Sequence, residues 1–276
     1  MTWWQAIILG LVEGLTEYLP VSSTGHLILA SWVLGLGDDG AVNDFNIVIQ
    51  AGAIAAVAGL YRVRVKQMTL GLLGRDDAGR KLAFNLLLAF IPAAVLGPLL
   101  AERIEEALFR PWPVIAALFV GAWLMLLVAA ARVLAKREHA GKPIESVTPT
   151  IAILIGFGQC IAMWPGTSRS MMTIVAALLL GLKSKAAAEF SFLLGLITLT
   201  AATGYAGLKG GSEMIEQIGW VALLLGFVAS TVSAALAVKW FVAFLTKHGL
   251  APFGWYRLVL AAVLSLLILM GWMESF

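Results

Sequence analysis

Two short polar runs interrupt an otherwise apolar chain, and each has residues that could do chemistry. In the first, Glu13 and Glu17 stand four residues apart, so a helix projects both from one face. Two carboxylates that close repel unless one is protonated or a cation lies between them. A wet interfacial helix face explains such a pair without function. A hard divalent cation with oxygen ligands, Mg²⁺ or Ca²⁺, explains it with one. The run continues past Pro20 into Ser22-Ser23-Thr24-Gly25-His26. Helix capping accounts for one of these hydroxyls but not for three. Ser23 precedes His26 by three residues, so the imidazole could take the hydroxyl proton. The second run is Pro165-Gly166-Thr167-Ser168-Arg169-Ser170. Its small residues leave backbone N–H groups open at a helix start, which attracts anions. Arg169 adds a forked cation suited to phosphate oxygens, or else a counter-ion for Glu13 or Glu17. Brought together, the two runs describe a polyanion site, and a diphosphate would suit it.

The elements that must position these runs lie in a membrane. Of 276 residues, 61% are hydrophobic and only 13% are charged, and the mean hydropathy is +0.92. A soluble domain carries about 25% charged residues, so a soluble fold, disorder and a nucleic-acid partner are excluded. The single cysteine, Cys160, permits no internal disulfide. The start, MTWWQAIILG, lacks the cationic region and cleavage site of a signal peptide and reads as mature protein. The basic pI of about 9.1 belongs to topological anchors rather than to an anionic partner.

Ten apolar stretches run over about 3–19, 24–36, 45–61, 82–101, 112–131, 150–164, 169–182, 187–206, 219–245 and 253–273. A span needs about 20 residues. Six stretches suffice, or nearly so; the other four form two short pairs, broken at LPVSSTGH and WPGTSRS, and are expected to be re-entrant hairpins. A shift of 145 residues sets Pro20 on Pro165, Ser23 on Ser168, Asp44 on Glu189 and Phe45 on Phe190, and Pro113 falls on Pro252 at a slightly shorter offset. The chain thus reads as one membrane domain over 1–276 with internal repeats of about 1–136 and 150–276. Three spans per repeat invert the second copy relative to the first. The expected fold is all-α and polytopic, with six transmembrane helices and two opposed re-entrant hairpins that meet near the midplane. That arrangement gathers fourteen Lys and Arg on one side, in 62–81, in 132–142 and at Lys183, Lys185, Lys239 and Lys247. Asp38, Asp39, Asp44, Glu102, Glu105, Glu106, Glu213, Glu216 and Glu274 fall on the other, with Arg103, Arg110 and Lys209. The positive-inside rule then places both termini outside. The ionisable residues assigned to membrane depth are Glu13, Glu17, His26 and Arg169, with Glu189 near an edge.

The run from Glu13 to His26 and the run PGTSRSMMT, from Pro165 to Thr173, closely resemble the two signatures of the bacterial undecaprenyl-diphosphate phosphatases, a family that also confers bacitracin resistance. Both match without a gap, and stretches such as 45–50 and 188–194 extend the likeness along the chain. The resemblance implies removal of the terminal phosphate from a C55 isoprenyl diphosphate, yielding the lipid carrier of peptidoglycan synthesis. It further implies a divalent metal requirement, which the Glu13 and Glu17 pair would meet on the spacing argument, and a bacterial cytoplasmic membrane with the site facing the periplasm. Glu13, Glu17, Ser23, His26 and Arg169 carry over as catalytic residues. Ser22, Thr24, Gly166, Ser168, Ser170 and Thr173 carry over as neighbours of the phosphates. Ser23 as nucleophile, with His26 or Glu17 as base, stands beside direct attack by water. The expected partners are the isoprenyl diphosphate and bilayer lipids, and a homodimer is compatible with the sequence. Two other functions fit parts of the pattern. A secondary transporter or lipid flippase shares the inverted-repeat architecture. An intramembrane serine protease would use Ser23 and His26 but leaves Arg169 and the Glu pair without a role.

Overall fold

The computed structural model describes residues 1–36, 40–134 and 140–272, with the side chains at 40, 41, 43, 44, 105, 206, 207 and 209–217 set aside. Asp38, Asp39, Asp44, Glu105, Lys136, Arg137, Lys209, Glu213, Glu216 and Glu274, which enter the charge bias and the repeat, lie outside what is described, as does the C-terminus. The described chain is almost wholly helical: α1 (Trp3–Thr16), α2 (Ser23–Val33), α3 (Gly40–Leu60), α4 (Arg62–Leu72), α5 (Asp77–Leu108), α6 (Pro111–Leu134), a 3-10 turn (Ile144–Ser146), α7 (Pro149–Ile161), α8 (Arg169–Leu179), α9 (Ser184–Ile218), α10 (Trp220–His248) and α11 (Ala251–Leu269). Five helices, α5, α6, α9, α10 and α11, are long and apolar enough to cross a bilayer, and α3 with α4 makes a sixth if the bent pair counts as one span. Large apolar side chains such as Leu99, Leu224 and Leu236 stand exposed on the outside, as a hydrocarbon solvent allows.

One expectation is corrected. The basic segment 62–81, expected only to link the spans 45–61 and 82–101, contains the helix α4, which turns 81° away from Phe45–Leu60. Its alternation of charged and apolar residues hides it from a search for apolar runs. It docks on α5 where glycines let the backbones close up, Gly71 against Gly79 and Arg80, and Gly79 against Gln67. The 187–206 stretch is also the middle of a longer helix, α9.

The four short helices pack in a reciprocal way. α1 lies on α10, and α10 on α3; α7 lies on α5, and α5 on α9. The first contact closes at Gly10 against the Gly226 carbonyl and Gly14 against Ser230 and Ser233. The second closes at Gly156 against the Ala89 carbonyl. The outer ends of each hairpin are tied together. Gln5 Nε2 donates to the Leu34 carbonyl at 3.1 Å. At the other pair, Lys142 N–H donates to the Gly181 carbonyl at 2.8 Å and Lys183 N–H to the Lys142 carbonyl at 3.1 Å. Basic residues collect around this second tie. Arg64 pairs with Glu145 at 2.8 Å and Glu189 at 2.7 Å, and Lys81 Nζ donates to the Glu145 carbonyl at 3.0 Å. Arg132 donates to the carbonyls of Leu178 and Leu182.

Candidate functional site

The polar runs form the inner turns of the two hairpins, and both turns use the same backbone device. Ser22 (φ 74°) and Ser168 (φ 76°) are the two non-glycine residues with positive φ among those described. Such a conformation costs on the order of 1–3 kcal/mol. Each serine offsets part of that cost by capping the helix it opens. Ser22 Oγ accepts the N–H of Gly25 at 3.4 Å and Ser168 Oγ that of Met171 at 3.3 Å. The caps therefore make Ser22 the counterpart of Ser168, one residue away from the 145-residue alignment, and Ser23 stands opposite Arg169.

The turns meet through side chains. Glu17, 8% exposed, accepts Ser23 Oγ–H on Oε2 at 2.7 Å and Arg169 Nη2–H on Oε1 at 3.0 Å. Arg169 Nη1 donates to the Ser191 carbonyl at 3.1 Å. Its guanidinium carbon lies 5.3 Å from the centre of the Tyr18 ring. Gly195 backs the guanidinium so closely that a methyl group there would collide with it. Thr173 Oγ1 shares a 2.6 Å hydrogen bond with Ser191 Oγ and donates to the Arg169 carbonyl at 2.9 Å. Ser170 Oγ donates to the Leu19 carbonyl at 2.8 Å and lies 3.0 Å from Ser168 Oγ, which fastens one turn to the other.

His26 faces elsewhere. Its Nδ1 lies 2.7 Å from the Ser22 carbonyl. A carbonyl only accepts, so this nitrogen carries the proton, leaving Nε2 to accept from Tyr256 Oη at 2.6 Å. The two rings stack with centroids 5.6 Å apart. Among the described residues no hydrogen bond joins His26 to Ser23, whose hydroxyl goes to Glu17. Thr24 is half-buried on the first turn of α2. Gly166 (φ 89°) gives its carbonyl to Arg257 at 2.9 Å. Glu189 sits away from the turns, on Arg64.

Four buried polar atoms within the two runs have no hydrogen-bond partner among the described residues: Glu13 Oε2, Tyr18 Oη, Thr167 Oγ1 and Arg169 Nε. An unsatisfied buried group costs about 1–3 kcal/mol. Three of the four can donate, as an anion requires. The fourth is a carboxylate oxygen, as a cation requires. No cluster of three or more His, Cys, Asp or Glu occurs among the described residues. Two carboxylates nevertheless suit a hard cation that takes its other ligands from phosphate and water.

Tyr18 lies within the first run and Ser191 within 188–194, but neither is singled out there for a role, and the motifs do not point to Tyr256 or Arg257. Arg257 had a signal, a lone charge within the apolar stretch 253–273. Tyr256 is tied to the turns by a contact that leaves no local pattern.

Fold and turns together define a polytopic membrane protein with a buried acid–hydroxyl–arginine cluster. The family model described as bacitracin resistance protein BacA matches residues 6–263, and the chain belongs to that family. It is 47% identical over 265 residues to the undecaprenyl-diphosphatase of Sorangium cellulosum, covering 95% of this chain and 85% of that one. It is 43% identical over 270 residues to undecaprenyl-diphosphatase 1 of Stutzerimonas stutzeri, covering 97% and 93% of the two chains. With an undecaprenyl-diphosphatase of Pseudomonas putida it shares 42% identity over 275 residues, 99% of this chain and 96% of the other.

Proposed function

We propose that this chain is an integral membrane phosphatase that hydrolyses undecaprenyl diphosphate to undecaprenyl phosphate and inorganic phosphate, returning the lipid carrier to peptidoglycan synthesis. The observation that carries the site reading is the hydrogen-bonded chain Ser23–Glu17–Arg169. Glu17 takes the Ser23 proton as Oγ attacks the terminal phosphorus. The bond to the bridging oxygen breaks, and undecaprenyl phosphate leaves. Protonation removes the charge on Glu17 that holds Arg169, so the guanidinium is released to the phosphoryl oxygens when their charge grows. Water then displaces Ser23 from phosphorus. Oγ recovers the proton from Glu17, and the water protons leave with the inorganic phosphate, while His26 braces the first turn through the Ser22 carbonyl. Ser168, Ser170 and Thr173 shape the turn, and the N–H groups at the start of α8 face the substrate. Glu13, joined by Glu17 only while that carboxylate is ionised, would hold Mg²⁺ or Ca²⁺, which supplies charge neutralisation for the diphosphate; the unpartnered Glu13 Oε2 supports this assignment.

The same reading gives the chain inverted repeats with two opposed re-entrant hairpins, in the bacterial inner membrane. Its support is the reciprocal packing of α1 on α10 and α7 on α5, together with the tied outer ends at Gln5–Leu34 and Lys142–Gly181. The end bearing Arg64, Lys81, Arg132, Lys142 and Lys183 is cytoplasmic by the positive-inside rule, and the diphosphate enters from the periplasmic side. The reciprocal packing also suits a lipid flippase, which needs no nucleophile. Phosphate release from an isoprenyl diphosphate by the purified protein decides between them. Hydrolysis is expected, with Ser23→Ala slower by at least about 10²-fold and excess EDTA equally inhibitory. Absence of release by folded protein overturns the phosphatase. Wild-type turnover by Ser23→Ala overturns the nucleophile, and full turnover in EDTA overturns the cation.

A further inference from the structure

Arg257 is the largest wholly buried side chain among the described residues, at 0% exposure, and it forms no ion pair with any of them. Its partners are backbone carbonyls. Nε donates to Leu118 O at 3.3 Å and Nη2 to Ala117 O at 3.0 Å, both on α6. Nη2 also donates to Gly166 O at 2.9 Å, in the second hairpin turn. Nη1 has no partner among the described residues. Gly121 and Met171 wall the guanidinium: a methyl group at Gly121 would fall 2.5 Å from Nη2 and 3.0 Å from Met171 Sδ. A charge at bilayer depth is costly even on the lenient insertion scale. No described carboxylate offsets it here.

The repeat makes that cost informative. In the correspondence that sets Pro113 on Pro252, the α6 position matching Arg257 is Leu118. Leu118 backs the first hairpin, with Cδ1 3.6 Å from where a Gly25 Cβ would stand. An apolar side chain therefore suffices to support a hairpin of this design. The charge on α11 serves something that only the second hairpin does.

We propose that Arg257 is a positioning residue of the phosphatase reaction. Acting through the Gly166 carbonyl, it holds turn 165–168 in the shape that aims Arg169 and the first N–H groups of α8 at the terminal phosphate. The peptide between Gly166 and Thr167 is fixed at both ends: its carbonyl by Arg257, and its N–H by the Trp164 carbonyl at 3.1 Å. One residue further on stands the positive-φ cap Ser168. A rotation of that peptide would move the cap and Arg169 together. The proposal rests on the reading of this turn as the phosphate-binding element.

The test is turnover of an isoprenyl diphosphate by purified Arg257→Met and Arg257→Lys, with detergent-solubilised Tm and hydrogen exchange over 163–172. Methionine removes the unpaired charge at similar volume, so a folded protein is expected. Its kcat should fall about 10–10²-fold, as a small misplacement of catalytic groups does, while KM changes by less than about threefold because the loss is confined to the transition state. Exchange over 163–172 should quicken while that over 18–30 does not. Lysine keeps the charge but cannot span three carbonyls, so it should not rescue turnover. Wild-type kcat in folded Arg257→Met overturns the proposal, and so does full rescue by lysine. Should Arg257→Met fail to fold, Gly121→Ala decides, because it displaces Nη2 with the charge retained. The same kcat loss supports the proposal, and unchanged turnover overturns it. Arg169→Ala is measured in parallel. Wild-type turnover there would remove the phosphate-binding reading itself, whereas loss there with wild-type Arg257→Met removes only the positioning role.

Discussion

At each hairpin turn a serine in a left-handed conformation hands the chain into a short helix, Ser22 at the first and Ser168 at the second. The residues flanking the two caps differ. The first cap is succeeded by Ser23 and preceded by Glu17, while the second is succeeded by Arg169. Behind the first turn stands Leu118, behind the second Arg257. The outer end of the first hairpin is tied by one carboxamide, and that of the second by a backbone ladder beside an ionic knot of Arg64, Glu145 and Glu189. One backbone mould thus serves two chemistries, acid and hydroxyl on one side and cation on the other. Neither hairpin could bury its charge alone without a penalty of about 2.5–3.5 kcal/mol per residue. Joined at Glu17–Arg169, each neutralises the other.

The sharpest way to break this division of labour is at Arg169. Arg169→Ala should lower turnover by about 10²–10³-fold, as loss of a transition-state donor does. Arg169→Lys should be nearly as damaging, because a point charge lacks the forked geometry. Turnover and Tm measured together separate the roles: an active, stable lysine variant would make Arg169 a counter-ion only. A smaller effect tests whether the two caps are the same device. At Ser22 and at Ser168, glycine relieves the positive φ whereas alanine keeps it and loses the cap. Alanine should therefore be less stable than glycine by about 1–2 kcal/mol at both positions. Equal melting of the Ala and Gly variants at either site would show that the moulds differ.

The smallest effect lies at the outer anchor. The Arg64 guanidinium holds the Glu145 carboxyl below the usual carboxylate range through a hydrogen bond. A depressed folded value means stability that is present above the unfolded carboxylate range and lost as pH falls through the folded value. The Glu145 side chain is 58% exposed, so solvent screening limits the pair to the low end of about 0.2–1 kcal/mol. The Tm difference between wild type and Glu145→Gln should be small at neutral pH and vanish on acidification. A difference that grows toward low pH would contradict the anchor.

Much of this was legible in the sequence because a membrane chain can hide little. Polar breaks such as LPVSSTGH and WPGTSRS stand out against apolar runs, and the helices α1, α2, α7 and α8 flank them as the pattern requires. The features that the sequence conceals are concealed for physical reasons. α4 mixes charge with apolar residues and so resembles a loop by composition. Arg257 binds carbonyls, which every residue has, so its partners carry no sequence signature. The partner of His26 is a tyrosine 230 residues away, beyond any local spacing rule. The pairing of Ser22 with Ser168 depends on φ, which the letters of the two motifs do not reveal.

Eight of the eleven residues of α8 are buried, from Ser170 to Leu178, whereas α2 buries only Gly25 and Leu27. The walls around α8 are α6, α7 and α9, and α9 is made after it. This imposes an order on biogenesis. A helix with so little lipid-facing surface cannot settle in the bilayer by itself, and the carbonyl that seats Arg169 belongs to Ser191, further along the chain. The arginine therefore reaches its place only after synthesis has passed into α9, long after Glu17 and Ser23 have left the ribosome. A membrane-inserted chain ending at residue 183 should expose 162–179 to protease, while the full-length protein protects it. Equal protection of the two would mean that the second hairpin seats itself without α9.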